Sequence, residues 1–358
     1  MSDLLYSDTE DDLRSAVRAL LTDRAGPNEL LARVETDSPY VPGLWRTLAT
    51  DIGAAGLLVP EKLGGQGASH REAAVVLEEL GRAVTPVPYL TSSVIATETL
   101  LSIEDPGEQV TDLLADLAAG RTVAVLAVPL TAAPDFRLAT GGRITGVADA
   151  TAADVLLVPR ADGLYAVPAA EAVIEPQTPL DLTRPLAAVD ADGAAGVRLA
   201  AGEAAAEAIR RGLLAGAGLL ASEQLGLAVW CLEETVRHTK DRYQFNRPVG
   251  SFQALKHRMA QLWLETVNAR AAARAAADAL ATGDPDAPLT VAVAQAYCSN
   301  VAVHAAEECV QLHGGIGMTW EHPAHLALKR AKSTQLALGS AGHHRAVIAE
   351  LADLPAPA

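Results

Sequence analysis

Apolar residues recur at helical spacing from Asp11 to Ser102, with breaks at Gly26-Pro27, Gly64-Gly65 and Pro86–Pro88, so this stretch predicts several short helices. Between Arg121 and Ala200 the pattern shortens to β-type runs: TVAVLAV (Thr122–Val128), DVLLVP (Asp154–Pro159) and LYAVP (Leu164–Pro168). Gly141-Gly142, Asp162-Gly163 and Asp192-Gly193 supply turns among them. From Glu203 no proline occurs before Pro248, and then none before Pro285. That allows two helices of roughly 30 to 40 residues, and Leu289–His313 and Pro323–Leu338 add further helical stretches. The pattern therefore predicts a mainly α fold with a small, mostly antiparallel β-domain. Residues 1–120 form an N-terminal helical domain, 121–202 the β-domain and 203–358 an antiparallel helix bundle.

Composition narrows the partners. The 358 residues are half apolar and carry a net charge of −16, which argues against nucleic acid, whose phosphates need a basic face. Of the lysines, only Lys62 lies outside Lys240–Lys332. The cysteines Cys231, Cys298 and Cys309 make no CxxC pair and read as small buried apolar residues. No long apolar span of membrane type and no N-terminal apolar targeting stretch stands out, so the expectation is a cytoplasmic protein.

Two segments carry the candidate chemistry: RYQFNRPVGSFQALKH (Arg242–His257) and, about 55 residues on, QLHGGIGMTWEHP (Gln311–Pro323). Each follows a long helical pattern and so falls at a helix end. There, backbone N–H groups and a positive dipole end are expected to meet phosphate. A glycine-rich helix cap is the plain structural alternative for the second segment.

Both segments closely resemble the C-terminal signatures of the acyl-CoA dehydrogenase family, FAD enzymes that desaturate acyl-CoA thioesters between the α and β carbons. LWRTLATDIGAAGLLVPEKLGGQG (Leu44–Gly67) and VLEELGRAVTPVPYL (Val76–Leu90) resemble the family's first helical domain. The resemblance implies FAD as cofactor, shared across a subunit interface. It implies that Arg242 pairs with pyrophosphate, Phe245 packs on the adenosine end and Gln253 contacts the flavin. Gln311 then approaches adenine, while Gly314 and Gly315 open backbone to phosphate or ribose. Asn246 replaces the family's glycine at a left-handed position it tolerates.

The departures fall where the chemistry belongs. The family abstracts the α proton with a glutamate. The two positions that carry it in different members are Leu338 and Gly216/Ala217 in this chain, none of which accepts a proton. Glu223, on the same helix face as Gly216, is the alternative base, set against a structural role. The family's flavin-lining middle segments are also missing; AVPLTAAPDF (Ala127–Phe136) and TGGRITGVADATAADVLLV (Thr140–Val158) stand there. Short members of this kind resemble the base-lacking subunit of heterotetramers that dehydrogenate steroid side-chain CoA thioesters.

The resemblance implies an acyl-CoA substrate, a second dehydrogenase subunit or otherwise a homo-oligomer, and an electron-transfer flavoprotein or similar acceptor. The rivals are a self-sufficient homotetramer, a flavin monooxygenase on the same fold, and a flavin-free scaffold. No metal site is expected. His322-x-x-His325, His343-His344 and Cys309-x-x-x-His313 have helical spacing, but no third ligand type is expected beside them.

Overall fold

The computed structural model describes residues 4–36, 38–135 and 142–354. The turn glycine Gly141 and the ends of the two middle segments at Phe136 and Thr140 lie outside them.

The N-terminal part opens with α1 (Asp8–Arg24) and α2 (Pro27–Arg33). α1 starts at a capping box in which Ser7 and Glu10 satisfy each other's backbone N–H groups. A short α3 (Leu44–Arg46) runs into a wide turn, and α4 (His70–Arg82) follows with its own capping box at Ser69 and Glu72. α5 (Thr97–Leu101) and α6 (Glu108–Ala118) complete this part. α1 lies against α4 through ion pairs of Arg14 and Arg18 with Glu79 at 2.9 and 2.6 Å.

Seven strands follow: β1 (Ala124–Leu126), β2 (Ile144–Ala148), β3 (Val155–Arg160), β4 (Gly163–Pro168), β5 (Val173–Gln177), β6 (Leu186–Asp190) and β7 (Val197–Ala201). One sheet has the order β1-β3-β4-β7, with β1 and β3 parallel and the other pairs antiparallel; the second is antiparallel, β2-β6-β5. Alternation along the strands divides their side chains. Val125, Leu156 and Val158 pack with Val147 and Val189 in a β-domain core, whereas Leu126, Leu157 and Leu164 join the helical core.

The bundle consists of α7 (Gly202–Asp241), α8 (Gln253–Thr282), α9 (Ala287–His313), α10 (Ala324–Leu336) and α11 (Ala341–Leu351). A two-residue-stranded hairpin, β8 (Tyr243–Gln244) and β9 (Arg247–Pro248), joins α7 to α8. α7 is the one described helix long and apolar enough to cross a membrane, and 89% of its apolar window is buried inside the fold. On α8 the buried residues Leu262, Thr266, Ala269, Ala273 and Ala276 keep spacings of three and four, so one small-residue face meets its neighbours. α4 crosses α7 at two glycines: a Cβ on Gly226 would lie 1.8 Å from the Glu78 carbonyl oxygen, and one on Gly81 2.0 Å from that of Glu223.

Candidate functional site

Arg242 is the exposed residue that caps the carboxyl end of α7. The hairpin beyond it turns through Phe245 and Asn246, both left-handed at φ 53° and 57°. Two successive left-handed residues make the tight turn that matches strand twist. Asn246 adopts it readily; Phe245 does so against its Cβ, and its side chain is 86% exposed. Its ring meets Phe252 edge-on at 6.1 Å, and Arg247 stacks over Phe252 at 3.8 Å. The chain then enters α8 at the exposed Gln253. Gly250 passes so near α7 that a Cβ would stand 3.0 Å from the Thr239 carbonyl oxygen.

Gln311 lies exposed in the last turn of α9. Gly314 has φ 62° and ψ −139°, a region open to glycine alone. Above Gly315 a Cβ would meet nothing within 4 Å, so its backbone faces open space. Gly317 differs: its Cβ would lie 2.5 Å from the Val310 carbonyl oxygen, which is a packing requirement. The ends of α7 and α9 are held together by the rings of His238 and His313, whose centroids are 4.2 Å apart. Arg242 is one turn past His238 and Gly314 follows His313, so both motifs stand at one end of the bundle.

That geometry corrects one expectation. Arg242 and Gln311–Gly314 sit at carboxyl ends, where the helix dipole is negative; the positive end at this site is the start of α8 at Gln253. Attraction for an anion must come from the guanidinium and from the N–H groups of the first turn of α8.

Around these residues Tyr243, Met318 and Trp320 expose 60%, 79% and 55% of their surface, which adds to Phe245 an uncovered apolar face. An exposed guanidinium with no partner among the described residues, an open glycine backbone and flat exposed rings suit a molecule with an anionic diphosphate and aromatic ends. The residues present therefore fit FAD.

The two base positions converge inside the molecule. Gly216 of α7 faces Leu338, and a Cβ on Gly216 would lie 2.6 Å from Ile95 Cγ1 and 3.2 Å from Leu338 Cδ1. Leu338 is 1% exposed, left-handed at φ 54°, and donates its N–H to the Leu130 carbonyl at 2.8 Å. Leu338 borders a cavity of about 20 Å³ walled also by Ile95, Val128, Leu130 and Leu213, with Thr91 as its polar member. Among the described residues no titratable side chain lines it. Ala217, also fully buried, accepts a hydrogen bond from Gln295 through its carbonyl.

Glu223, the alternative base, points elsewhere. Its two oxygens accept from Arg184 Nη2 at 2.7 and 2.6 Å, and Arg330 approaches at 3.6 Å. Arg330 also pairs with Asp181 at 3.2 Å. All four residues are at most 6% exposed, and they tie the β-domain to α7 and α10. Asp149, a buried carboxylate that sequence reasoning missed, accepts from Thr91 Oγ1 at 2.8 Å and Tyr40 at 2.9 Å. Burial raises its pKa, against the lowering effect of Arg184. No motif marks it; only the fold brings Tyr40 and Thr91 to it.

The cysteines are buried, and burial pushes the Cys298 thiol up to about 12. Of the histidines, His343 reaches Asp135 at 3.2 Å and His344 bonds the Leu338 carbonyl at 3.0 Å. The expectation that no third ligand type stands beside the histidines fails: Glu234 of α7 comes within 4.8 Å of donor atoms on His313 and His322.

The fold and both motif-bearing segments define a class. Residues 7–121 match the model of the acyl-CoA dehydrogenase N-terminal domain and residues 206–352 that of the acyl-CoA dehydrogenase C-terminal domain. The chain is 37% identical over 334 residues to acyl-CoA dehydrogenase IpdE2 of Mycolicibacterium smegmatis, covering 93% of this chain and 95% of that protein. The IpdE2 of Mycobacterium tuberculosis is likewise 37% identical over 328 residues, 92% of each. Among solved structures, the ChsE4-ChsE5 complex from Mycobacterium tuberculosis superposes with a TM-score of 0.86 at 25% identity, over 99% of this chain and 100% of the matched one. The Tcur3481-Tcur3483 steroid ACAD G363A variant does so with 0.84 at 28%, over 97% and 98%. The chain therefore belongs to the acyl-CoA dehydrogenase family, FAD-dependent oxidoreductases acting on CH–CH bonds.

Proposed function

We propose that this chain is the base-lacking subunit of a heterotetrameric acyl-CoA dehydrogenase, in which it completes the FAD site of a base-bearing partner. One observation carries the reading: the two positions where the family places its base, Leu338 and Gly216, pack against each other and Ile95, and Leu338 lines a cavity of only about 20 Å³. Such a cavity holds at most a water molecule, and among the described residues no carboxylate or imidazole lines it. The chain's own acyl side is filled, while its cofactor-side residues remain open.

In the assembly, Arg242 holds the pyrophosphate, Gln253 contacts the flavin, and Phe245 packs on the adenosine end. Gln311, Gly314 and Gly315 receive the adenine and ribose portion. FAD, when bound, accepts the hydride from the β carbon of the thioester. Removal of the α proton falls to a carboxylate of the partner. The exposed face around Tyr243, Phe245, Met318 and Trp320 is the surface the partner and cofactor cover together. Likeness to the Tcur3481-Tcur3483 steroid ACAD favours a bulky polycyclic CoA thioester as substrate, and the family resemblance suggests an electron-transfer flavoprotein or similar acceptor.

A self-sufficient homotetramer with Glu223 as base has less support, because both Glu223 oxygens are occupied by buried Arg184. The test is co-expression with a candidate base-bearing subunit, measuring flavin absorbance per chain and the mass of the assembly. One FAD per two different chains supports the reading; one FAD per chain in a homotetramer with dehydrogenase activity overturns it.

A further inference from the structure

Beside the proposed cofactor cradle, three donors gather that no step above uses. His313 closes α9 with its side chain wholly buried at 0% exposure. Its Nδ1–H donates to the Cys309 carbonyl at 2.6 Å, which leaves Nε2 as the bare lone pair. That atom is buried and has no hydrogen-bond partner among the described residues, a destabilising condition when nothing offsets it. It looks toward Glu234 Oε1 at 3.8 Å, and His322 Nε2 lies 3.7 Å from the same oxygen. The three donor atoms fall within 4.8 Å of one another. His322 packs over His313 at 4.3 Å between ring centroids and shields the pair from solvent on that side.

We propose that Glu234, His313 and His322 form a binding site for one divalent ion of the zinc class. Two imidazoles and a carboxylate are the donor set of late first-row divalent metals, whereas magnesium and calcium take oxygen. Bonds of about 2.0–2.2 Å place two ligands of a tetrahedral ion roughly 3.4 Å apart, so the three donors close on an ion through small side-chain rotations. The surroundings are those of a ligand shell. A metal-bound imidazole usually donates its other N–H to a carbonyl, as His313 does, and Arg237 Nε holds the Glu234 carboxylate at 2.9 Å.

Two contacts must adjust, the first being Arg237 Nη2, which already donates to Glu234 Oε1 and would share that oxygen with the ion. Ala324 N–H now donates to His322 Nδ1 at 3.2 Å, and coordination through Nε2 puts a proton on that nitrogen. Ala324 is the buried first residue of α10, whose N–H has no intrahelical acceptor, so losing this bond counts against binding. The ion would clasp the end of α7, the end of α9 and the 314–323 segment, directly behind Arg242 and Gly314.

The test uses the whole chain freed of metal with a chelator and titrated with Zn²⁺, and with Co²⁺ as a visible reporter. Calorimetry and elemental analysis are expected to give one ion per chain, with cobalt d–d bands and a Tm that rises with Zn²⁺. His322→Gln and Glu234→Gln are each expected to weaken binding at least tenfold and abolish the Tm shift, while His325→Gln retains both. His322 is the decisive position, because buried His313→Gln could fail to fold. A folded wild-type chain that takes up no stoichiometric zinc overturns the proposal, as does zinc binding that persists unchanged in His322→Gln and Glu234→Gln. The readout is independent of flavin: a chain that binds zinc but no FAD keeps this site and loses the cofactor reading.

Discussion

At Glu223 and Arg242 the same kinds of charge do opposite work, because one is buried and the other is not. Glu223 is 3% exposed and holds two guanidiniums. Removing its charge leaves Arg184 unpaired in the interior, so Glu223→Gln is expected to cost about 3–5 kcal/mol of stability. If it is structural, the folded fraction of the assembly keeps its turnover per flavin; loss of turnover with an unchanged melting temperature would instead make Glu223 the base. Arg242 is exposed and has no protein partner holding its guanidinium among the described residues. Arg242→Ala is expected to leave Tm unchanged and to weaken FAD retention by roughly tenfold or more, the worth of a charge-assisted hydrogen bond. Flavin content after gel filtration of the co-expressed complex measures this.

The glycines separate packing from ligand access at the scale of elements. Gly226 lets α4 and α7 cross with backbone against side-chain space, since its Cβ would fall 1.8 Å from the Glu78 carbonyl oxygen. Gly226→Ala must push the helices apart, at about 3 kcal/mol or more, read as a fall in Tm or as insoluble protein. Gly315 is the opposite case, with open space above it. Gly315→Ala is expected to leave Tm within the range of surface substitutions, about 0.5 kcal/mol, and yet reduce flavin content, because the methyl fills the approach. A shared GGxG motif thus holds one glycine for folding, Gly317, and others whose surroundings are empty.

Ion pairs hold the molecule's N-terminal part to the bundle at the largest scale. Glu10, buried at the start of α1, pairs with Arg274 of α8 at 2.7 Å and with Arg71 at 3.2 Å. Burial alone would raise its pKa, but Arg71, the Ser7 N–H and Arg274 outweigh that and lower it to about 2. A carboxylate depressed in the folded state contributes stability above its unfolded pKa, near 4.3, and loses it as pH falls toward 2. Tm should therefore drop between about pH 5 and pH 2, and Glu10→Gln should start lower and lose part of that slope. An identical slope in wild type and variant would remove Glu10 from the account.

The helix periods, the proline-free stretches and the turn glycines determined the α–β–α order and the long bundle helices, because period and punctuation are local properties of the chain. The β runs at Ala124–Leu126, Val155–Arg160 and Gly163–Pro168 were legible for the same reason. β2, β5 and β7 were not, since their exposed or mixed faces gain strand form only from neighbours, nor was the buried β6, whose Ala187-Ala188 carry little strand preference. The residues of the two cofactor motifs stood in the sequence, but their polarity did not: which end of a helix a residue caps fixes the sign of its dipole. The meeting of Leu338 with Gly216, the capture of Glu223 by Arg184 and the approach of Glu234 to His313 and His322 join residues far apart in the chain. Long-range packing alone decides such contacts, so only the tertiary structure could supply them.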